Sequence, residues 1–178
     1  MVKNISIIVA VIVVAFLVYA AASPDTFRIT RTASIKAPPE RIYPYMSDFH
    51  KGDLWSPYEK KDPAMKRTFR GAESGKGAVY EFDGNKKSTG KGRLEIIEAV
   101  PPTRVVLTLD MIEPMQGHNI VEYTLEPNGD STSVTWSMTG KNSYLGKIIC
   151  TFINMDKMVG GDFEAGLANL KALVEKKQ

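Results

Sequence analysis

The sequence contains few of the residues on which most catalytic and metal sites depend. Its 178 residues include one cysteine, Cys150, and two histidines, His50 and His118. One cysteine cannot form an internal disulfide, and two histidines without matched cysteine or carboxylate spacing do not form a metal-binding motif. We therefore predict no metal and no cofactor, place both histidines in loops or at the surface, and interpret Cys150 as an unreactive cysteine among apolar helix residues.

The motifs of several enzyme classes are also missing from the sequence. It has no Gly-x-Ser-x-Gly, P-loop or dinucleotide-binding fingerprint, and the glycines between Gly71 and Gly77 are better interpreted as a turn. The net charge is only +3, and the basic residues are scattered. Nucleic acid is therefore not expected as a partner. With no catalytic residues to nominate, the sequence favours a binding protein over an enzyme.

The longest apolar run extends from Ile5 to Ala22, and Ser6 is its only clearly polar residue. Eighteen helical residues span about 27 Å, which is close to the thickness of the hydrocarbon core of a bilayer. Two interpretations compete: a retained single-pass membrane anchor, and a cleaved signal peptide with its cleavage site at Ala20-Ala21-Ala22. The length of the run and the interfacial position of Tyr19 favour the anchor.

We expect residues 1–25 to form the anchor, or an uncleaved signal, and residues 26–178 to form one domain. About 155 residues are enough for a single domain with its own hydrophobic core. Lys3 favours a cytoplasmic N-terminus, whereas Arg28 and Arg31 after the run favour the opposite arrangement. The side of the membrane that carries the domain is therefore left open.

After residue 26, apolar and polar residues alternate in a series of short segments, which is the pattern of half-buried strands. Turn sequences such as Asp83-Gly84-Asn85 and Asn128-Gly129-Asp130 join several of them, so consecutive strands should be antiparallel neighbours. Arg31 is an exception on the apolar face of the first strand. The predicted strands are 27–36, 65–70, 78–83, 89–99, 105–111, 121–126 and 133–138.

Two regions have helical character. Pro38-Pro39 opens a short helix predicted at 41–47, and residues 48–58 are expected to be irregular or a second short helix. From residue 144 to 174 the apolar residues recur at helical spacing, which predicts one long C-terminal helix. Gly160-Gly161 interrupts this pattern and marks either a kink or a place where the sheet comes close.

This order of elements predicts an α+β fold in which a curved antiparallel sheet wraps around the long C-terminal helix, preceded by one N-terminal transmembrane helix. One helix rarely fills the concave face of such a sheet. An apolar pocket is therefore expected between the sheet and the helix.

Four segments of the sequence resemble the START-like, Bet v 1-like (SRPBCC) superfamily. These segments are 35–42 (Ile-Lys-Ala-Pro-Pro-Glu-Arg-Ile), Trp55-Ser56-Pro57, Val134-Thr135-Trp136 and 166–170 (Gly-Leu-Ala-Asn-Leu). More narrowly, the chain resembles the polyketide cyclase/dehydrase and lipid-transport group, in a form with an N-terminal membrane segment. The resemblance covers 27–175 and implies a helix-grip fold with a deep apolar cavity. It implies little about function, because the superfold includes carriers, cyclases, hydroxylase domains and regulators.

Aromatic, methionine and aliphatic residues predicted to face inward are the candidate ligand-binding residues. Methionines and aromatics suit a pocket that adapts to varied apolar guests, and the hydroxyls of Tyr80 and Tyr123 could orient a ligand. The alternative for each residue is ordinary core packing. Trp55 and Tyr58 either close the mouth of the pocket or pack under a loop, and we favour the loop. The candidates are Tyr80, Phe82, Leu107, Leu109, Met111, Tyr123, Trp136 and Met138 of the sheet, and Phe152, Met155, Val159 and Phe163 of the helix.

Three functions are compatible with these features. The leading hypothesis is a membrane-tethered protein that binds a hydrophobic small molecule or lipid. The second is a cyclase/aromatase-like enzyme, which would need a polar acid-base pair inside the cavity; Asp110 and Glu122 are predicted to face outward and do not provide one. The third is a START-like protein-interaction module, which an exposed apolar outer face of the sheet would favour. The predicted outward residues are mostly polar.

Overall fold

The computed structural model describes residues 2–152 and 154–176. Within this part of the chain, six α-helices and seven strands are formed. The helices are α1 (Val2–Ala22), α2 (Pro39–Met46), α3 (Gly52–Trp55), α4 (Pro57–Lys61), α5 (Tyr144–Phe152) and α6 (Met155–Glu175). The strands are β1 (Thr26–Ile35), β2 (Lys66–Gly71), β3 (Ala78–Asp83), β4 (Lys91–Val100), β5 (Arg104–Glu113), β6 (Gly117–Asn128) and β7 (Ser131–Lys141).

The seven strands form one sheet in the order β1-β7-β6-β5-β4-β3-β2. All neighbouring pairs are antiparallel. Short turns produce this meander from β2 to β7, and β1 then pairs with the last strand instead of with the second. The sheet and the C-terminal helix form an α+β helix-grip fold, so the predicted fold class is confirmed.

Several boundaries differ from the predictions for local reasons. β4 begins at Lys91 because Gly90 adopts a left-handed conformation, with φ of +69°. β6 begins at Gly117, earlier than predicted. The prediction missed this start because the first inward residues, Gly117 and Asn119, are not apolar and do not show the alternating pattern. Residues 48–58 contain a 3-10 turn at Phe49–Lys51 followed by α3 and the start of α4.

The C-terminal helix is interrupted at a different place from the one that its glycines suggested. α5 ends at Phe152 and α6 begins at Met155, where the side chain of Asn154 caps the helix by accepting a hydrogen bond from Lys157 N at 2.9 Å. Gly160 and Gly161 lie within an unbroken α6. Of the two explanations offered by the sequence, the close approach of the sheet is supported, because Arg31 of β1 lies against Gly160.

Gly160 leaves room for Arg31 of β1, whose side chain lies against the helix backbone. A Cβ atom on Gly160 would overlap the Arg31 guanidinium group. That group donates to Asp156 at 3.0 Å and to Glu164 at 2.5 Å, on either side of the glycine. The charged exception on the apolar face of β1 is thus the residue that holds the first half of α6 to the sheet.

Alanine substitutions at the two adjacent glycines of α6 should have opposite effects. A Cβ atom on Gly161 would meet no atom of a neighbouring element within 4 Å, so Gly161→Ala should raise the free energy of unfolding by about 1 kcal/mol through helix propensity. Gly160→Ala should lower it by about 1 kcal/mol, because Arg31 must move. Chemical denaturation of the full-length chain measures both effects.

Removal of Arg31 supplies the control for this pair. In an Arg31→Ala background, Gly160→Ala should become stabilising, as Gly161→Ala is. Equal stabilisation by the two alanines in the wild-type background would contradict the packing of Arg31 on Gly160.

Candidate functional site

The candidate strand residues share the concave face of the sheet. Residues directly opposite each other on paired strands point to the same face. Tyr80 of β3 pairs with Leu94 of β4, which pairs with Leu109 of β5. In the same way, Leu107 of β5 pairs with Val121 of β6, which pairs with Met138 of β7. The face therefore consists of parallel rows of side chains that run across the sheet.

One half of this face is a closed core around Trp136. Phe163 of α6 stacks on the Trp136 ring, with centroids 4.1 Å apart and planes 11° apart. Tyr123 and Trp55 each approach the same ring at 5.4 Å, and α6 comes so close that a Cβ on Gly166 would lie 2.7 Å from the indole. Five of the twelve candidates are buried in this core: Leu107, Tyr123, Trp136, Met138 and Phe163. A sixth candidate, Tyr80, is also buried, but it lies in the row of Leu94 and Leu109.

The other half of the face remains partly open. α6 starts level with Arg31 and runs toward the end of β1, where Lys171 donates to Ser34 O and Glu175 accepts from Lys36 N. The opposite ends of the strands extend beyond the start of the helix. Five candidates are half-buried: Phe82, Leu109, Met111, Met155 and Val159. The side chains of the remaining candidate, Phe152, and of Cys150 lie outside the described part of the structure.

Two glycines form the floor of this open half. Gly92 pairs with Phe82, and Gly140 pairs with Phe27. A Cβ on either glycine would lie 2.7 Å from the ring of its paired phenylalanine, so both rings lie flat over neighbouring backbone. An aromatic ring over a glycine on a neighbouring strand protects the exposed backbone. It also leaves the open rows shallow and apolar. We call the rows that contain Phe27, Phe82, Leu94, Leu109, Met111 and Asn119 the open rows.

Asn119 is a polar residue in the open rows that the sequence predictions missed. It pairs with Leu109 on one side and Gly140 on the other, and its side-chain oxygen occupies the space above that glycine. An amide can both donate and accept hydrogen bonds. Asn119 lies two residues before Val121 and four before Tyr123, so it faces inward with them. The sequence would have shown this if the predicted strand had been extended toward residue 117.

Tyr80 has a polar partner that the sequence did not reveal. Its hydroxyl donates to Glu59 of α4 at 2.6 Å, and Arg67 of β2 donates to the other oxygen of the same carboxylate, also at 2.6 Å. Burial and the adjacent carboxylate raise the pKa of Tyr80 well above its usual value. Arg67 also donates to Met65 O at 2.7 Å. The predicted ligand-orienting hydroxyl of Tyr80 is therefore already engaged in holding α4 to the sheet.

A cleft of about 360 Å³ adjoins this cluster, at the edge of the sheet. Phe69 stacks on Tyr80 at 5.2 Å and on His50 at 4.2 Å, so aromatic rings form one wall. The floor is the Glu59–Arg67 ion pair. His50, Asp53 and Lys60 also line the cleft, so charged and polar side chains lie opposite its aromatic wall.

The closed core contains a hydrogen-bond donor without an acceptor. Trp136 Nε1 is buried and has no partner among the described residues. A buried polar group left unpaired costs about 1–3 kcal/mol. Burial alone raises the pKa of the neighbouring Tyr123 hydroxyl. Both residues belong to the closed core, apart from the half-buried rows.

The other residues singled out in the sequence have structural roles. Trp55 is only 4% exposed, and its Nε1 donates to Tyr45 O of α2 at 2.9 Å, so it is a structural residue of the core. His50 and His118 are exposed and lie next to Asp48 and Asp110. Glu122 faces outward and accepts from Arg104 at 2.5 Å. Among the described residues, no cluster of histidine, cysteine or carboxylate side chains could hold a metal.

Comparison with known proteins identifies the fold. A family model described as polyketide cyclase/dehydrase and lipid transport matches residues 26–175. A crystal structure of protein CV1439 from Chromobacterium violaceum is 23% identical with a TM-score of 0.59, over 86% of this chain and 99% of that one. A protein from Nitrosospira multiformis is 18% identical with a TM-score of 0.62, over 85% and 100%. CalU16 from Micromonospora echinospora is 16% identical with a TM-score of 0.55, over 83% and 73%. No curated protein matches the sequence.

The buried hydroxyl of Tyr123 predicts a pH dependence of stability. Its folded pKa lies above its unfolded value, so the folded state binds this proton more tightly. The resulting stability is complete below pH of about 10 and is lost as the pH rises above it. Relative to Tyr123→Phe, the wild-type chain should lose about 1 kcal/mol more per pH unit there.

Denaturant unfolding at a series of pH values from neutral to alkaline measures this difference. Tyr45→Phe is the control, because Tyr45 lies outside α1 and is only half-buried. A Tyr123→Phe curve parallel to that of the wild type throughout would contradict the burial of the hydroxyl.

Proposed function

Because the chain belongs to the polyketide cyclase/dehydrase and lipid transport family, we propose that it binds a hydrophobic small molecule or lipid on the open rows of its concave face, and that α1 tethers it to a membrane. The observation that carries the proposal is the division of the concave face. One half is filled by Trp136 and its aromatic neighbours, and the other leaves apolar side chains half-exposed. A guest on the open rows would bury the apolar side chains that α6 does not cover.

The driving force for such binding is the removal of apolar surface from water. Each 100 Å² of apolar surface that a guest buries is worth about 2.5 kcal/mol before the cost of ordering. Phe82, Leu109 and Met111 supply this surface. Asn119, beside Leu109, would orient the polar end of the guest, because its amide can donate to or accept from a head group.

The contacts of α1 support a retained anchor. α1 is long and apolar enough to cross a bilayer, a property that it shares with signal sequences. Lys147 of α5 is only 7% exposed and donates to the carbonyl of Ala21 at 3.4 Å. Tyr144 donates to the carbonyl of Leu17 at 3.2 Å. Cleavage after Ala22 would remove both acceptors, so the packing of the domain favours an uncleaved α1.

An enzyme has less support than a binding protein. The acid-base pair that a cyclase-like reaction would need is most nearly approached by Tyr80 and Glu59, which are 2.6 Å apart. Both oxygens of Glu59 are engaged, one by Tyr80 and the other by Arg67. The pair is thus arranged as a structural link between α4 and the sheet.

A charge on the open rows should abolish binding of a guest without preventing folding. Leu109→Glu places a carboxylate among the apolar side chains, and it should remove any co-purified lipid and weaken uptake of a fluorescent fatty acid at least about tenfold. Native mass spectrometry and fluorescence titration of the full-length chain in detergent measure the two effects.

Thr108→Glu is the matched control, because Thr108 is the preceding residue and faces the opposite side of the sheet. It should retain the guest. Equal binding by both folded variants, or no guest and no uptake in the wild-type chain, would contradict the proposed function.

A further inference from the structure

α5 is attached to α1 at several levels. The Tyr144 hydroxyl donates to Leu17 O at 3.2 Å, and the Lys147 ammonium donates to Ala21 O at 3.4 Å and to the Asp25 carboxylate at 2.6 Å. The same ion pair lowers the pKa of Asp25. α5 therefore lies beside the C-terminal end of α1, and its position along α1 is fixed.

These contacts place α5 at a defined depth relative to the apolar span. The span ends at Ala22, and the rise from Leu17 to Ala22 is about 7.5 Å at the helical rise per residue. Helices that lie in the plane of a membrane surface bury their apolar face about 5–10 Å into the boundary between headgroups and acyl chains. α5 is level with this boundary.

The composition of α5 fits that location. Its sequence, Tyr-Leu-Gly-Lys-Ile-Ile-Cys-Thr-Phe, contains one charged residue, and this residue, Lys147, is paired with Asp25. Tyr144 is 48% exposed, and Ile148 and Ile149 are only half-buried by protein. Tyrosine is enriched at membrane interfaces, where its ring is apolar and its hydroxyl is polar. In water these side chains would remain partly hydrated, whereas at the bilayer boundary lipid would cover them.

The neighbouring end of the sheet has the same character. β1 starts and β7 ends at this side, because Thr26 pairs with Lys141. The connection between β5 and β6 lies at the same end of the strands and exposes Ile112 and Met115, which are 49% and 47% accessible. The connection between β3 and β4 contacts it through Lys86, which pairs with Glu113 at 3.0 Å. Because Lys86 is neutralised by this pair, the exposed apolar side chains of Ile112 and Met115 are the groups that a lipid surface would cover here.

We infer that α5 is an interfacial helix that lies in the headgroup boundary of the bilayer beside α1, and that the end of the sheet carrying the open rows faces the lipid. This inference rests on the proposed membrane tether. It gives the lipid surface itself as the partner of α5. A hydrophobic guest would then pass between the bilayer and the open rows, near Leu109 and Met111, with little exposure to water.

Site-directed fluorescence in vesicles tests this placement. Single cysteines are introduced by Ile149→Cys and Met115→Cys in a full-length Cys150→Ser chain and labelled with an environment-sensitive dye, so that the contacts of Tyr144 and Lys147 with α1 are kept. The control is Asp130→Cys, whose side chain is 74% exposed in the turn between β6 and β7, at the other end of the strands. Vesicles of phosphatidylcholine and phosphatidylglycerol contain lipids with a nitroxide near the headgroup, and a thermal melt of each labelled chain verifies folding.

Both test positions should show a blue-shifted emission and loss of fluorescence to the nitroxide, while the label at position 130 should show neither. Water-like emission at position 149 in chains that float with the vesicles would overturn the interfacial placement and leave the tether intact. Chains that do not float with vesicles at all would overturn the tether, and the interfacial helix with it. Equal quenching at all three positions would also contradict the inference, because the domain would then have no preferred face.

Discussion

The stack of Trp136 on Phe163 determines how the rest of this fold is arranged. It brings α6 so close to β7 that only glycine fits at position 166. Tyr123 and Trp55 pack around the same indole ring and fill one half of the concave face. Because interiors are packed to a nearly uniform density, the other half must be covered by something else or remain partly open. The half-buried state of Leu109 and Met111 follows from this constraint.

Arg31 fixes where α6 lies along β1, in addition to the close packing at Trp136. An arginine on the concave face would be costly if it were unpaired. Here it is bracketed by Asp156 and Glu164, one helical turn to either side of Gly160. The pairs are partly exposed, so each contributes little stability by itself. Their role is to fix the register of the helix against β1, which in turn leaves the opposite strand ends uncovered.

The sequence was sufficient to predict the fold, because its signals are local and repeated. Alternation along seven strands, hairpin turns and one late helical stripe define a helix-grip fold, and the resemblance in segments such as Trp55-Ser56-Pro57 agrees with it. The Gly160 position was correctly linked to a close approach of the sheet. The break in the helix was misplaced, because α5 ends at Phe152 and Asn154 caps α6 with no glycine or proline to mark the change.

The division of the candidate site could not be predicted in the same way. The alternation of the strands predicts that Trp136 and Leu109 both face inward. Only the path of α6 across the sheet makes Trp136 buried and leaves Leu109 half-buried. The link between Tyr80 and Glu59 joins residues from a short helix and a strand, and no local pattern reports such a pairing. The contact of α5 with α1 joins Tyr144 to Leu17, far apart in the chain, so it too depends on tertiary structure.

The most direct test of the account is photo-crosslinking of the full-length chain with a fatty acid that carries a photoreactive group in its acyl chain. Peptide mass spectrometry would then locate the modified residues. The account predicts crosslinks on the open rows, at Phe82, Leu109 and Met111, and their loss in the presence of excess unlabelled fatty acid. Competable crosslinks confined to the outer face of the sheet, such as at Ile97 or Thr108, would contradict it.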